Sequence, residues 1–211
     1  MKRDVGRRPG IWAVDWAVFN VLRTVSVALL LSVSAVAAQA ATATAIFAGG
    51  CFWCIEADFE KLAGVTEVES GYTAGKTANP TYEQVSNGHT GHTEAVRVIY
   101  DPARVSYAQL VDYFWRHIDP TVKDRQFCDI GSQYRSGIYW GSPAERQVVE
   151  ASRDALLKSG RFKAIHTELA PASTFYLAED YHQDYYKKNS VRYNYYRYSC
   201  GRDARVKSLW Q

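Results

Sequence analysis

The sequence predicts an α+β fold in a single domain. Strand-like and helix-like segments are mixed, without the regular alternation typical of a doubly wound sheet. Residues 92–100 have the period of a half-buried strand, and two capping signals, Ser106 with Gln109 and Ser142 with Pro143, predict helix starts. Gly160 is the expected end of the second helix. At 211 residues, the chain has room for one ordinary domain and an appendage.

The appendage is the first 40 residues. It has a basic start, an apolar run over residues 25–37, and Ala38-Gln39-Ala40, which has the small-x-small form of a signal-peptidase site. The apolar run is shorter than the roughly 20 residues of a spanning helix. We therefore predict a signal peptide at residues 1–40, a mature catalytic domain at 41–211, and export to the periplasm. An uncleaved anchor formed by residues 11–40 is the alternative.

The charge of the mature domain is balanced. The chain has a net charge of +3, but residues 1–40 hold five basic and two acidic residues, so 20 of each sign remain. A neutral domain has no electrostatic footprint for nucleic acid or for an anionic membrane. The tyrosine-rich residues 185–198 are therefore expected to pack a C-terminal segment onto the domain rather than to stack on bases.

A thiol stands where a strand must turn into a helix. Ile46-Phe47-Ala48 is strand-like, Gly49-Gly50 permits a sharp turn, and Cys51 then opens a helical segment. A helix N-terminus stabilises a thiolate, so a lowered pKa is expected for Cys51. Phe52 and Trp53 supply an apolar wall that suits a small substrate group containing sulfur. With Cys54 the motif is also a CxxC, for which a structural disulfide or half of a metal site is the alternative.

Glu94 is the candidate acid. In a strand over residues 92–100, Glu94 shares one face with Val96 and Val98, so its carboxyl lies at the end of an apolar row. Burial there favours the neutral form, which a general acid requires near neutral pH. An exposed glutamate at a strand end is the alternative.

Several further residues are placed on elements. Tyr72 and Tyr82 fall in a stretch rich in glycine, asparagine and proline that predicts a loop. Tyr134 is expected on the next strand, and Asp129 in the loop before it. Residues 179–188 are expected to form a short helix. The five histidines show no metal pattern and select no base for Cys51.

Four cysteines in an exported chain permit three disulfide connectivities. A domain of this size does not need such staples, which favours a chemical role. A zinc site would need a second paired motif, whereas Cys128 and Cys200 stand alone.

Motifs along the chain carry a family resemblance. They are Gly50-Cys51-Phe52-Trp53, Ser70-Gly71-Tyr72, Asn79-Pro80-Thr81-Tyr82, Gly91-His92-Thr93-Glu94-Ala95-Val96, Phe114-Trp115, Asp119-Pro120-Thr121, Asp129, Gln133-Tyr134-Arg135-Ser136 and Ala178-Glu179-Asp180-Tyr181-His182-Gln183. In this order they resemble the peptide-methionine sulfoxide reductases of the A type. Two features depart from the pattern. Position 54 is Cys where many members have Gly, and the C-terminus lacks the glycine-rich two-cysteine tail of other members.

The resemblance implies a single two-layer domain with a mixed sheet, packed helices and a ferredoxin-like core. It also implies reduction of methionine-(S)-sulfoxide, free or in proteins, through a sulfenic acid on Cys51. Glu94 would protonate the departing oxygen. The remaining roles are hydrogen bonds from Tyr82 and Tyr134, a methyl pocket of Phe52 and Trp53, and contact of Asp129 with the substrate backbone or a water.

Recycling of the enzyme is the least determined step. No metal or organic cofactor is implied, and the electrons are expected from a thioredoxin-like partner acting on a monomer. We favour Cys200, on a mobile C-terminal segment, over Cys54 as the thiol that resolves the sulfenic acid, and we expect Cys128 to be a structural free thiol. The alternatives are a thiol-disulfide oxidoreductase using Cys51 and Cys54, and an exported binding module held by two disulfides.

Overall fold

The structure is a computed structural model that describes Met1 and residues 41–211 of the chain. The expected leader, apart from Met1, lies outside the described residues, so the signal peptide and the alternative anchor stay predictions. No helix in the described part of the chain has the length and apolar character needed to cross a membrane.

Strands and helices are mixed along the chain, as expected. The strands are β1 Ala43–Gly49, β2 Val65–Thr73, β3 Thr93–Tyr100, β4 Arg125–Gln126, β5 Asp129–Ile130, β6 Ser136–Trp140, β7 Glu168–Pro171 and β8 Tyr176–Leu177. The helices are α1 Phe52–Phe59, α2 Tyr82–Ser86, α3 Tyr107–Trp115, α4 Pro143–Lys158, α5 Tyr185–Lys188, α6 Ser190–Ser199 and α7 Arg202–Trp210. A 3-10 turn, Ser132–Tyr134, precedes β6.

Six strands form one mixed sheet in the order β7-β6-β1-β3-β2-β8, and β4 and β5 form a separate hairpin. The four central strands, β6-β1-β3-β2, are antiparallel, whereas β7 pairs with β6 in parallel. Helix α1 connects β1 to β2, and α3 lies between β3 and β6 in the chain. This order and these crossovers are those of a ferredoxin-like core, so the predicted α+β class and mixed sheet are confirmed.

The aromatic core fixes helix α1 against the sheet. Phe47 of β1 is fully buried, and its ring centroid lies 4.9 Å from that of Phe59 on α1 and 5.1 Å from that of Phe114 on α3. Burying one such side chain contributes about 1.5–3 kcal/mol. Because both helices pack on the same strand residue, the turn between β1 and α1 has a fixed position.

Three expected elements are confirmed. Ser106 caps α3 with a complete capping box involving Gln109, and α4 begins at Pro143 after Ser142. The helix ends at Lys158, two residues before Gly160, whose φ is +72°. The strand of Glu94 begins at Thr93. The residues of its predicted face are all buried: Glu94, Val96, Val98 and Tyr100.

Three placements were wrong in part. Tyr72 lies within β2, and Tyr82 is the first residue of α2, where Thr81 and Gln84 form a capping box that the loop interpretation missed. Tyr134 lies in the 3-10 turn rather than on β6.

Of the helix expected over residues 179–188, only the last four residues are helical, as α5. Asp184, which precedes them, has a left-handed φ of +53° and interrupts the helix. Gln183 in the non-helical part hydrogen-bonds the backbone of Ser70 in β2 in both directions, at 2.9 Å each.

The C-terminal segment is helical and docked, which corrects the expectation of a mobile tail around Cys200. Arg202 at the start of α7 is only 2% exposed. Its guanidinium donates to the carbonyl of Gly49 at 3.1 Å and to that of His117 at 2.9 Å. Trp210 donates to the carbonyl of Ile118 at 3.1 Å. These bonds tie the segment to the end of β1 and to the residues that follow α3.

Candidate active site

The nucleophile candidate sits at the turn that the sequence predicted. Strand β1 ends at Gly49, α1 begins at Phe52, and Cys51 between them is 6% exposed. Gly50 has a φ of +83°, and a Cβ there would lie 2.6 Å from the Cβ of Gln126. Only glycine fits both the backbone angle and the space.

Glu94 reaches this turn from β3. Its Oε2 accepts a hydrogen bond from the backbone N–H of Phe52 at 3.0 Å. Burial raises the pKa of Glu94 to about 8, although the Phe52 N–H opposes the shift. The carboxyl is therefore mostly neutral at pH 7, as the strand period predicted. With Oε2 acting as acceptor, Oε1 is the atom left to carry the proton.

A cavity of about 80 Å³ opens between these groups. It is lined by Cys51, Phe52, Trp53, Tyr82, Glu94, Asp129, Tyr134 and Tyr196. The structure thus gathers seven of the nine candidate site residues, whereas Cys54 and Cys200 do not line the cavity. Its volume fits a group about the size of a methyl sulfoxide rather than a whole side chain with its backbone.

The side chain of Trp53, which forms part of the aromatic wall, is held in place by Tyr185 and His182. Trp53 stacks on Tyr185 with ring centroids 3.7 Å apart, and its indole N–H donates to Nδ1 of His182 at 3.0 Å. Burial lowers the pKa of His182 to about 4, so the imidazole is neutral and Nδ1 is free to accept. His182 therefore positions Trp53. No local sequence pattern indicates this contact, because 129 residues separate Trp53 and His182.

Two of the three tyrosines that line the cavity, Tyr82 and Tyr134, are hydrogen-bond donors. Burial raises the pKa of Tyr82 to about 12, with Glu94 adding to the shift, and the pKa of Tyr134 is also raised by burial. Both hydroxyls therefore keep their protons. Glu179 fixes the start of α2, since its carboxylate accepts from the Tyr82 N–H and from the Tyr72 hydroxyl, each at 2.8 Å. Tyr72 itself points to Glu179 rather than to the cavity.

A hydrogen bond connects Asp129 to the C-terminal helix α6. Its Oδ2 accepts from the Tyr196 hydroxyl at 2.6 Å. Burial raises the pKa of Asp129, opposed by this hydrogen bond and by the charge of Arg202. Tyr196 is a site residue that the sequence reasoning missed, because a tyrosine-rich helix predicts packing.

Cys51 and Cys54 lie one helical turn apart, and the backbone N–H of Cys54 donates to the carbonyl of Cys51 at 3.1 Å. Burial raises the pKa of Cys51 well above its usual value, and the neighbouring Cys54 thiol adds to this. The Cys51 thiol, together with the charges of Arg202 and Arg197, lowers the pKa of Cys54 against the effect of burial. The expectation of a lowered pKa at Cys51 was therefore wrong, because the thiol is buried and the N–H of Phe52 donates to Glu94.

The other two cysteines form a disulfide. Cys128, exposed in the β4–β5 hairpin, is bonded to Cys200 at the end of α6, with 4.9 Å between the Cα atoms. The prediction of a free thiol at Cys128 was wrong. Cys51 and Cys54 are both free.

Two groups of possible metal ligands occur among the described residues, and the four cysteines do not gather into one of them. Cys128 and Cys200, which flank Asp129 in the first group, are bonded to each other. The second group consists of Glu56, Glu60 and Asp184. There the ammonium of Lys187 lies 2.6 Å from Glu60 and 2.8 Å from Asp184, so a protein cation already pairs with two of the three carboxyl groups.

A buried thiol beside a neutral carboxylic acid, in a small cavity with aromatic walls on a ferredoxin-like core, defines a thiol-dependent oxidoreductase. Comparison with known proteins gives its family. A sequence model described as "Peptide methionine sulfoxide reductase" matches residues 43–211. The chain therefore belongs to the peptide methionine sulfoxide reductase family.

Relatives of the A type cover most of the chain. Peptide methionine sulfoxide reductase MsrA 2 of Caulobacter vibrioides is 47% identical over 190 residues, which are 90% of this chain and 96% of the relative. MsrA of Listeria innocua is 48% identical over 168 residues, 79% of this chain and 95% of that one. The resemblance deduced from the motifs is confirmed.

Solved structures agree. Methionine sulfoxide reductase A of Corynebacterium diphtheriae superposes with a TM-score of 0.64 at 38% identity, covering 72% of this chain and 77% of that chain. Reduced Mxr1 from Saccharomyces cerevisiae gives a TM-score of 0.67 at 31% identity, covering 72% and 88%.

Proposed function

We propose that this chain reduces methionine-(S)-sulfoxide, free or in proteins, to methionine at Cys51. The observation that carries the proposal is the neutral carboxyl of Glu94, fixed on the N–H of Phe52 and lining the same cavity as Cys51. An unprotonated sulfoxide oxygen would have to leave as oxide. A carboxylic acid that stays protonated near pH 7 supplies the proton that makes the oxygen a feasible leaving group.

The reductive step balances with the groups present. The Cys51 sulfur attacks the sulfoxide sulfur while Glu94 protonates the oxygen, and the thiol proton of Cys51 replaces the proton that Glu94 donated. The hydroxyl group then moves from the substrate sulfur to the Cys51 sulfur. As it moves, the S–O bond of the substrate and the bond between the two sulfur atoms break, methionine leaves, and Cys51 holds a sulfenic acid. Methionine sulfoxide is reduced by two electrons and Cys51 is oxidised by two.

The remaining cavity residues hold the substrate. Phe52 and Trp53 provide the apolar surface for the S-methyl group. The hydroxyls of Tyr82 and Tyr134 donate to the sulfoxide oxygen, whose charge grows as the S–O bond weakens. Asp129, which lines the cavity and accepts from Tyr196, contacts the substrate backbone or a bound water.

A second thiol must condense with the sulfenic acid before further oxidation makes the damage permanent. We retain Cys200 as the resolving thiol and Cys54 as the alternative. The closeness of Cys54 to Cys51 supports the alternative, whereas the docking of residue 202 on Gly49 brings the Cys200 segment to the same turn. A thioredoxin-like dithiol protein supplies the electrons, with no metal or organic cofactor.

A second candidate function is a thiol-disulfide oxidoreductase that uses Cys51 and Cys54 as its redox pair. Both cysteines are free and lie one helical turn apart, which favours it. The burial of both cysteines, whose residues are 6% and 2% exposed, disfavours attack on a protein disulfide.

One experiment separates the two functions. Reduced protein is freed of reductant and incubated with methionine sulfoxide, and the thiols lost and methionine formed are counted. A sulfoxide reductase forms methionine in proportion to the thiols lost. An exchange enzyme loses thiols only to a disulfide substrate, and a binding module does neither.

We further propose that the enzyme is an exported monomer, cleaved after Ala40 and located in the periplasm. The small-x-small site and the short apolar run support cleavage over an anchor at residues 11–40. N-terminal sequencing of protein from a host envelope should begin at or near Ala41. An intact Met1 on a membrane-bound species would favour the anchor. Sedimentation of the mature domain should give the mass of one chain.

A further inference from the structure

We propose that Glu56 is a positioning residue of the substrate pocket: its neutral carboxyl group holds the residues behind Trp53 in place, and its ionisation loosens them. The residues it holds are Asp184 and Tyr185. This inference rests on the proposed function, because its effect is measured through the binding of the sulfoxide. It gives a role to a buried carboxyl group that the reductive step does not use.

Helix α1 presents one stripe of side chains to the start of α5. Positions 53, 56 and 60 are separated by three or four residues, so their side chains share one face of the helix. Each contacts one residue of the run 184–186: Trp53 stacks on Tyr185, Glu56 Oε1 accepts from the N–H of Asp184 at 3.0 Å, and Glu60 accepts from the Tyr186 hydroxyl. The contact of Glu56 is therefore the central one of three that dock the segment.

The backbone of Asp184 directs Tyr185 towards the pocket. Its φ of +53° is left-handed, a conformation that residues with a side chain adopt rarely and at a cost. The hydrogen bond to Glu56 holds the N–H of this residue. Tyr185 follows directly, and its ring lies 3.7 Å from that of Trp53 with only 7° between the two planes. Loss of the bond would therefore release the residue that aims Tyr185 at the aromatic wall.

The surroundings of Glu56 favour a neutral carboxyl group. The residue is 1% exposed, and its Oε2 has no hydrogen-bond partner among the described residues. A charged oxygen is costly in such a position. Burial raises the pKa of Glu56 to about 7, although the N–H of Asp184 opposes the shift. The charges of Glu60, at the end of α1, and of Asp184 raise this pKa further, whereas that of Lys187 on α5 lowers it.

Ionisation of Glu56 works against the docked segment. Because docking raises the pKa of this carboxyl group, its neutral form stabilises the docked state, fully so below the usual value of 4.5. That contribution is lost as pH rises through about 7. Lys187 offsets only part of the new charge, since its ammonium already pairs with Glu60 and Asp184. Weaker docking lets Tyr185 leave the indole, and the pocket then holds the methyl group less firmly.

Two substitutions separate the acceptor oxygen from the charge. Glu56→Gln keeps an oxygen that can accept from Asp184 and does not ionise, whereas Glu56→Met has a similar volume and no such oxygen. The measurement is the single-turnover rate of methionine formation against the concentration of free methionine sulfoxide. Glu56→Met should raise the half-saturating concentration about 3–30-fold, with the maximal rate within about twofold, because a buried N–H loses its acceptor.

The pH dependence tests the ionisation. The half-saturating concentration of the wild type, divided by that of Glu56→Gln, should be about 1 at about pH 5 and at least about 3 at about pH 8. The ratio removes the effect of Glu94, which both proteins share. Glu67→Gln and Glu67→Met are the matched controls, since they make the same changes at an exposed position of β2. Both should match the wild type at each pH.

Four results would count against the proposal. Tight binding by Glu56→Met, or binding by Glu56→Gln as weak as that of Glu56→Met, would overturn the role of the acceptor oxygen. A ratio that stays constant between about pH 5 and about pH 8 would overturn the role of ionisation. A maximal rate that falls as much as binding would show general structural damage instead of positioning. If Glu56→Met fails to fold, the pH dependence of the ratio still decides. No methionine from the wild type would refute the proposed function instead.

Discussion

The backbone N–H of Phe52 donates to Oε2 of Glu94 across 3.0 Å. This bond joins the first residue of α1 to the strand that carries the acid, so the position of the nucleophile and that of the proton donor are set by one contact. The contact also places a carboxyl oxygen at the N-terminal end of the helix, where a carboxylate would be stabilised. Burial nevertheless dominates, since the pKa of Glu94 is raised to about 8.

Cys51 is expected to be indispensable. Cys51→Ser should abolish methionine formation even with excess dithiothreitol, because a serine hydroxyl does not form the sulfenic acid on which the reaction depends. Single-turnover assays with free methionine sulfoxide measure this, and circular dichroism should show an unchanged fold. Turnover retained by the variant would remove Cys51 from the mechanism.

Glu94→Gln keeps the shape of the side chain and removes its proton. The reductive step should slow by about 10²–10⁴-fold, the usual contribution of general acid catalysis. The wild-type rate should also fall as pH rises through about 8, where Glu94 loses its proton, whereas the variant should lack this step. Rapid-quench measurement of methionine across pH gives both results.

Glu67→Gln is the control for this prediction, because it makes the same substitution at an exposed position of β2. It should leave the rate and the pH profile unchanged. A Glu94→Gln rate within a few-fold of wild type at every pH would assign the proton to another group.

The free energy of unfolding should depend on pH through the ionisation of Glu94. Its pKa is raised from 4.5 to about 8 by burial, so its neutral form stabilises the folded state below the unfolded pKa. That contribution is lost as pH rises from about 4.5 through about 8. The free energy of unfolding of the wild type should therefore decline over this window relative to Glu94→Gln. Urea titrations of both proteins at several pH values measure the difference, and parallel pH profiles would contradict it.

Local sequence patterns were enough to predict several of the helices and strands and part of the active site. The period of β3 predicted that Glu94 would be buried, and the turn at Gly49 and Gly50 predicted where Cys51 would stand. Both signals lie within a few residues of the group they position. The Cys128–Cys200 disulfide spans 72 residues, and the sequence alone allowed three connectivities. Its formation depends on how α6 docks, which no short pattern encodes.

The same limit applies to Trp53, Glu179 and Tyr196. The aromatic wall was predicted from residues adjacent to Cys51. The hydrogen bond that positions Trp53 in this wall comes from His182, which is 129 residues away in the sequence. The hydrogen bond between Glu179 and Tyr82 joins residues 97 positions apart in the sequence, and the one between Tyr196 and Asp129 joins residues 67 positions apart. Sequence reasoning therefore identified the groups that carry the chemistry and missed most of those that position them.

His182 is expected to act through Trp53. His182→Phe keeps the aromatic contact with Phe52 and Tyr82 but removes the acceptor for the indole N–H. Loss of this bond, worth about 0.5–1.5 kcal/mol, should loosen the methyl pocket and raise KM about 2–10-fold, with a smaller effect on kcat. His182→Asn, whose amide oxygen can accept the same bond, should recover most of the loss. Steady-state kinetics with free methionine sulfoxide separate the two constants. An unchanged KM in His182→Phe, or equal losses in both variants, would show that His182 serves packing alone.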